Sequence, residues 1–237
     1  MKLSRSLMVA KLALSTALVM ASTMAINVYV PATRGYFNLG ECMIYLTALL
    51  FDPLTAAFAG GVGSALADIA LGYLIYAPAT LAIKAAEGAV ASKLAEKLRA
   101  RGERILLPMA FLVVAGYFAL ILIIGYTIFV GEVEVALANL FVAKGFLSPA
   151  AWIPMAFAAT IIPFYLTLRR RGEGLLVAAL LLSGLIMISG YFIYEQLIFG
   201  YYALAEVPVN FGQAVLGTAI AIPLYKAVQK LRGGMGF

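Results

Sequence analysis

The chain has 237 residues, 64% of them hydrophobic and only 12% charged, with a mean hydropathy of +1.01. That composition excludes an ordinary water-soluble domain and specifies a polytopic membrane protein. The single Cys42 excludes an internal disulfide framework, the lack of any His removes the usual imidazole ligand and general base, and the net charge of +6 is read as a membrane-topology signal with anionic lipid nearby, with no nucleic-acid partner.

Eight hydrophobic segments are predicted as helices, since strand-like alternation is absent and lipid leaves no backbone group unpaired. The first covers residues 12–30 and carries Ala17, Ala21 and Ala25 at every fourth position, a flat stripe on which another helix can approach closely. Its basic start and the Ser-Thr-Met-Ala before Ile26 also resemble a signal peptide with a Thr23-x-Ala25 cleavage site. Lys11 interrupts that apolar run, and the segment is expected to be retained. Residues 40–51, opened by Glu41, are too short to span untilted. Residues 54–74 hold the small-residue ridges Gly60/Ser64, Gly61/Ala65 and Gly63/Ala67 and end near Asp68. Residues 79–98 contain Lys84 and Glu87, three apart and hence on one helical face.

Residues 105–130 and 149–168 are apolar, and the connection between them, Gly131 to Gly145, is mildly amphipathic and expected to lie on the interface or dip into the bundle. Residues 175–199 carry Tyr191 and Glu195 towards their end, and 207–230 begin with Asn210 and Gln213. Breaks fall at Pro31, Asp52-Pro53, Pro78, Gly102, Pro149, Gly172 and Pro208, where helix chemistry requires them. Tyr73, Tyr76, Tyr191, Tyr194, Tyr201, Tyr202 and Trp152 suit an interfacial aromatic belt, with stacking on a ligand as the alternative for some of them.

Basic residues set the orientation. Lys2, Arg5 and Lys11, then Lys93, Lys97, Arg99, Arg101 and Arg104, then Arg169 to Arg171, then Lys226, Lys230 and Arg232 account for fourteen of the seventeen cations. Eight crossings with both termini cytoplasmic put all four clusters on the inner face. Glu41, Asp68, Lys84, Glu87, Glu195, Asn210 and Gln213 then fall in the outward half, at about 1.5 Å of rise per residue. Intramembrane charge costs several kcal/mol unless paired or hydrated, so this clustering points to a water-accessible cavity open to the outside. Lys84 and Glu87 either neutralise each other as scaffold or line that cavity with Asp68 or Glu195, and Asn210 and Gln213 offer amide donors and acceptors. Catalytic patterns fail. Leu66 replaces the third Gly of a dinucleotide loop after Gly61-x-Gly63, there is no phosphate loop, and no metal or cofactor site is expected.

The stretch "GYFNLGECMIYLTALLFDPLTAAFAGGVGSALADIALGYLIYAPATLAIKAAEG" resembles S components of energy-coupling factor (ECF) transporters, the membrane subunits that capture vitamins and other micronutrients. The resemblance continues in "GYFIYEQLIFG" and "VPVNFGQAVLG", with the Ala17/Ala21/Ala25 stripe. It implies an all-α membrane bundle whose six-helix core has an outward pocket capped by the loop after the first helix. The alanine stripe would meet a transmembrane T component, which works with two ATPase subunits. Asn38 and Glu41 fall in the capping loop and second helix, and Lys84, Glu87, Tyr191, Glu195, Asn210 and Gln213 on pocket-forming helices. Asp52 stands where Gly is expected before Pro53, and Ala85 where Gly is expected after Lys84. Two hydrophobic segments are added between the family's fourth and fifth helices. One membrane domain is therefore expected over 1–237, with core 1–104 and 172–237 and an inserted helical pair 105–171.

The expected function is non-catalytic: capture of a small water-soluble vitamin or micronutrient outside the cell membrane. A stand-alone ion-coupled carrier using Asp68, Lys84, Glu87 and Glu195 is the alternative. A membrane enzyme lacks a nucleophile or metal constellation.

Overall fold

The computed structural model describes residues 5–100, 103–128, 131–137, 140–169 and 171–234. Of the basic residues used to set topology, Lys2, Arg101 and Arg170 lie outside these. Each of the eight segments corresponds to a helix: α1 (Arg5–Ala25), α2 (Gly40–Leu50), α3 (Pro53–Leu71), α4 (Ala77–Ala100), α5 (Glu103–Ile128), α6 (Trp152–Arg169), α7 (Arg171–Phe199) and α8 (Glu206–Gly234). Short 3-10 helices precede α6, at Pro149–Ala151, and α8, at Gly200–Ala205. By length and composition, four described helical stretches can cross a membrane: Arg5–Ala25, Pro53–Leu71, Pro149–Leu168 and Glu173–Leu231. The protein is a helical polytopic membrane bundle.

The helix starts follow local chemistry. Asp52 caps α3, its carboxylate accepting from Thr55 N at 3.0 Å with Pro53 in the first turn, where a missing N–H costs nothing. The 11-residue α2 is short and buried along most of its length, packing against α8. Close approach fixes the position of α3 against α4. A Cβ added to Gly61 would stand 2.6 Å from Leu81 O of α4, and one added to Gly88 2.5 Å from Ala56 O of α3. Two backbones this near leave no room for branched side chains, and they bring the face of α3 that bears Asp68 against the face of α4 that bears Lys84. The helices α5 and α6 pack on each other and on α7 and α8.

One expectation fails. Instead of lying on the interface as an amphipathic segment, the connection after α5 is a β-hairpin, β3 (Gly131–Leu137) and β4 (Leu140–Leu147). It joins a second hairpin after α1, β1 (Ile26–Val30) and β2 (Gly35–Phe37), in an antiparallel sheet of order β2-β1-β3-β4. Val28 pairs with both Phe37 and Val135. The Glu132-Val133-Glu134-Val135 alternation is strand-like after all, and residues 26–30, placed in the first helix by their apolarity, are strand. Backbone groups at this end of the bundle are satisfied across strands contributed by two distant connections. The sheet, the turn before Tyr76 and the 3-10 turn before α8 all stand at the end of the bundle opposite the basic clusters.

Candidate functional site

Beneath the sheet, the ends of α1, α3 and α7, the starts of α4 and α8, strand β2 and Asn38 surround a small open-mouthed cavity of about 30 Å³. Helical spacing delivers the side chains. On α4, Thr80, Lys84 and Glu87 fall on one face; on α7, Met187, Tyr191 and Glu195 do; on α8, Glu206, Asn210 and Gln213 do. Of the nine expected site residues, Asn38, Asp68, Lys84, Tyr191, Glu195, Asn210 and Gln213 line the cavity. Glu41 and Glu87 do not; they are its backing.

That backing is one connected network. The Lys84 ammonium donates to Glu41 Oε1 and, at 3.2 Å, to Glu87 Oε2, and it lies 2.6 Å from Met187 Sδ. All three charged residues are at most 3% exposed. Gln213 Nε2 donates to Glu41 Oε1 at 2.9 Å, its carbonyl accepts from Asn38 N at 2.9 Å, and Tyr45 Oη donates to Glu87 Oε1 at 2.8 Å. Lys84 also faces the Tyr191 ring, 5.5 Å from its centroid. The i, i+3 pair visible in the sequence is thus half of a three-residue cluster whose other carboxylate comes from α2. Desolvated charges persist in such a place only when each has a partner, and here the cation has two.

The mouth side is different. Asp68, 3% exposed, accepts from Tyr36 Oη at 2.6 Å through Oδ1, while its Oδ2 forms no hydrogen bond of ordinary geometry among the described residues, the Thr80 hydroxyl beside this carboxylate being bonded at 2.9 Å to Tyr191. Glu195, 1% exposed, stands 3.3 Å from Tyr76 Oη through Oε1, and its Oε2 likewise forms none. The Tyr76 hydroxyl is closer to Thr33 O, at 2.8 Å, and a phenol has one hydrogen to give, so even the first oxygen of Glu195 is served only in part. Thr33 donates to Glu206 Oε1, tying the β1–β2 turn to the start of α8. Burial, and then the adjacent Asp68 carboxylate, push the Tyr36 phenol well above its ordinary range. Burial followed by Glu195 and Glu206 does the same to Tyr76. Both phenols therefore stay protonated and act as donors.

Sequence reading missed Tyr36, Tyr76, Thr80 and Glu206, all of which line the cavity. Thr80 and Glu206 sit one turn before Lys84 and Asn210 on faces already identified, so extending those faces by four residues finds them. Tyr76 and Trp152 are not belt residues, since both are buried, whereas Tyr201 and Tyr202 are largely exposed. Ala17, Ala21 and Ala25 lie on an exposed face of α1.

Among curated proteins the chain is similar to an uncharacterized protein in the gap 3' region of Pyrococcus woesei, 51% identical over 72 residues. That alignment covers 30% of this chain and 48% of the other, so the chain spans about half the length of the curated relative it matches. No solved structure matches. The model of the family described as ECF-type riboflavin transporter, S component, matches residues 4–162, from α1 through the sheet and into α6. With more than half of its length in that match, the chain belongs to the family of ECF-type riboflavin transporter S components.

Proposed function

We propose that this protein is the substrate-capture subunit of an ECF-type importer, binding a small water-soluble vitamin of the flavin type in the cavity beneath the sheet and passing it inward in complex with a T component and two ATPase subunits. The observation that carries the reading is the convergence of seven expected site residues, from four helices and the connection before α2, on one buried cavity at the end opposite the basic clusters. Asn38, Asn210 and Gln213 supply amide groups for polar edges, and Tyr36, Tyr76 and Tyr191 supply flat faces for a ring system. The exposed Ala17/Ala21/Ala25 stripe suits close docking of a partner helix, and the basic ends of the helices suit the cytoplasmic side of the membrane.

Purified protein in detergent is expected to bind riboflavin without any partner, read by titration of flavin fluorescence, while cellular uptake requires the energising subunits. Ala21→Leu is expected to abolish uptake with affinity held within a few fold, because the added bulk sits on an exposed face of α1, whereas the cavity is met by the buried Thr23. Equal loss of affinity and uptake would refute that separation. In the ion-coupled reading, Asp68, Lys84, Glu87 and Glu195 would have to form a relay across the bundle. Lys84 and Glu87 are instead closed on Glu41, and Asp68 and Glu195 face the mouth cavity. Solute accumulation by the reconstituted chain alone, driven by an ion gradient, would favour that second reading.

A further inference from the structure

The cavity is unevenly supplied with donors. Its one ammonium is consumed by Glu41 and Glu87, whereas Asp68 Oδ2 and Glu195 Oε2 are buried, border the cavity and form no hydrogen bond of ordinary geometry among the described residues. Asp68 takes the Tyr36 hydrogen on its other oxygen, while Glu195 shares the Tyr76 hydrogen with Thr33 O and is served still less. A buried acceptor without a donor loses its hydration and gains nothing in return, unless the missing hydrogen arrives with whatever fills the space. Glu206 adds a third carboxylate to the same wall.

Resting on the flavin-type reading above, we propose that the occupant turns a donor-rich, non-anionic portion towards Asp68 and Glu195, and that these two residues select a free hydroxylated chain over its phosphate ester. In riboflavin the ribityl chain is the part with this chemistry: its hydroxyls supply hydrogens to Asp68 Oδ2 and Glu195 Oε2 and accept in turn from Thr80 or Tyr191. A terminal phosphate would place negative charge and acceptor oxygens against carboxylates with no free cation on the wall to offset them. The amide residues Asn38, Asn210 and Gln213 are left for the ring edge.

The test compares riboflavin, its 5'-phosphate and lumiflavin, which keeps the ring and lacks the polyol, against the full-length protein in detergent. Riboflavin is expected to bind at least about tenfold more tightly than either, the scale of one lost or opposed hydrogen bond to a charged group. Asp68→Asn and Glu195→Gln are each expected to narrow the gap between riboflavin and its phosphate, mainly by admitting the phosphate. If either variant fails to fold, the wild-type comparison still decides. Equal affinity for riboflavin and its phosphate, or for riboflavin and lumiflavin, overturns the assignment while leaving the flavin reading intact. Should wild-type protein bind none of the three, the flavin reading falls and the selectivity is decided by mass spectrometry of the molecule carried out of the membrane with the protein. A neutral or cationic compound with two or more donors upholds it, and a phosphorylated or carboxylated compound, or none, overturns it.

Discussion

Two groups of buried charge lie side by side in this protein and are built on opposite plans. Around Lys84, each carboxylate shares a cation and collects further donors from Tyr45 and Gln213. Around Asp68 and Glu195, phenols are the donors, and one oxygen of each carboxylate is left over. The first arrangement is held by an ion pair internal to the protein, although Glu41 Oε2 has no hydrogen-bond partner among the described residues, and it ties α2, α4 and α8 together. The second is completed by whatever enters. Burial is nearly the same in both, so the presence of a cation of the protein's own, and not depth, separates scaffold from site.

The largest effect is expected from breaking the ion-paired group. Lys84→Met leaves Glu41 and Glu87 buried without their cation and is expected to cost about 3–5 kcal/mol, measured by denaturant unfolding in mild detergent. Removing Lys84 and Glu87 together does not test neutrality, because Glu41 is then left buried without its cation. The triple variant Lys84→Met, Glu41→Gln, Glu87→Gln is expected to recover most of the loss, and an unrecovered triple would show that packing, not charge, is at stake. Gly61→Leu comes next, at about 1–3 kcal/mol, since its side chain enters backbone 2.6 Å away and pushes α4 from α3. Thermal unfolding would detect it.

A third charge pair sharpens the contrast from the wet side. Asp52 bonds Lys11 at 2.5 Å, but its side chain is 49% exposed. Partial burial works against ionisation, yet Lys11 and the Thr55 donors outweigh it and hold the carboxyl below its usual range. A folded-state value below the unfolded one means that the stabilisation is present above about pH 4 and fades as pH falls through the folded value. With solvent screening, Asp52→Ala is expected to cost about 1 kcal/mol, most of it lost capping, in a pH series of unfolding curves. Smallest of all is the cost of changing the group that has no cation of its own: Asp68→Asn is expected to change unfolding by less than about 0.5 kcal/mol, because no ion pair is lost and Oδ1 can still accept from Tyr36. A loss as large as that of Lys84→Met would erase the distinction between the two groups.

The helices were legible because each carries its own signal: apolar length, a proline or glycine at its boundary, and polar residues at three- and four-residue spacing. Lys84 with Glu87 and Asn210 with Gln213 could be paired from spacing alone. Glu41 could be placed near the outer end of α2 but not assigned as partner to Lys84, since that contact joins residues 43 apart and depends on how two helices cross. The sheet was missed for a related reason. The alternation in 132–135 is only four residues long, and its partner strand 26–30 reads as the tail of an apolar helix. Neither is convincing until the two are seen paired, and pairing is a property of the whole fold.

Strand β1 pairs on one side with its neighbour β2 and on the other with β3, made more than a hundred residues later. A two-stranded ribbon is marginal by itself. During synthesis, then, β1 and β2 emerge with α1 and wait through the production of α2, α3, α4 and α5 before β3 arrives to consolidate them. A nascent chain arrested before residue 131 would carry the first hairpin unconsolidated and the α3 and α4 walls of the cavity, with the α7 and α8 walls still to come.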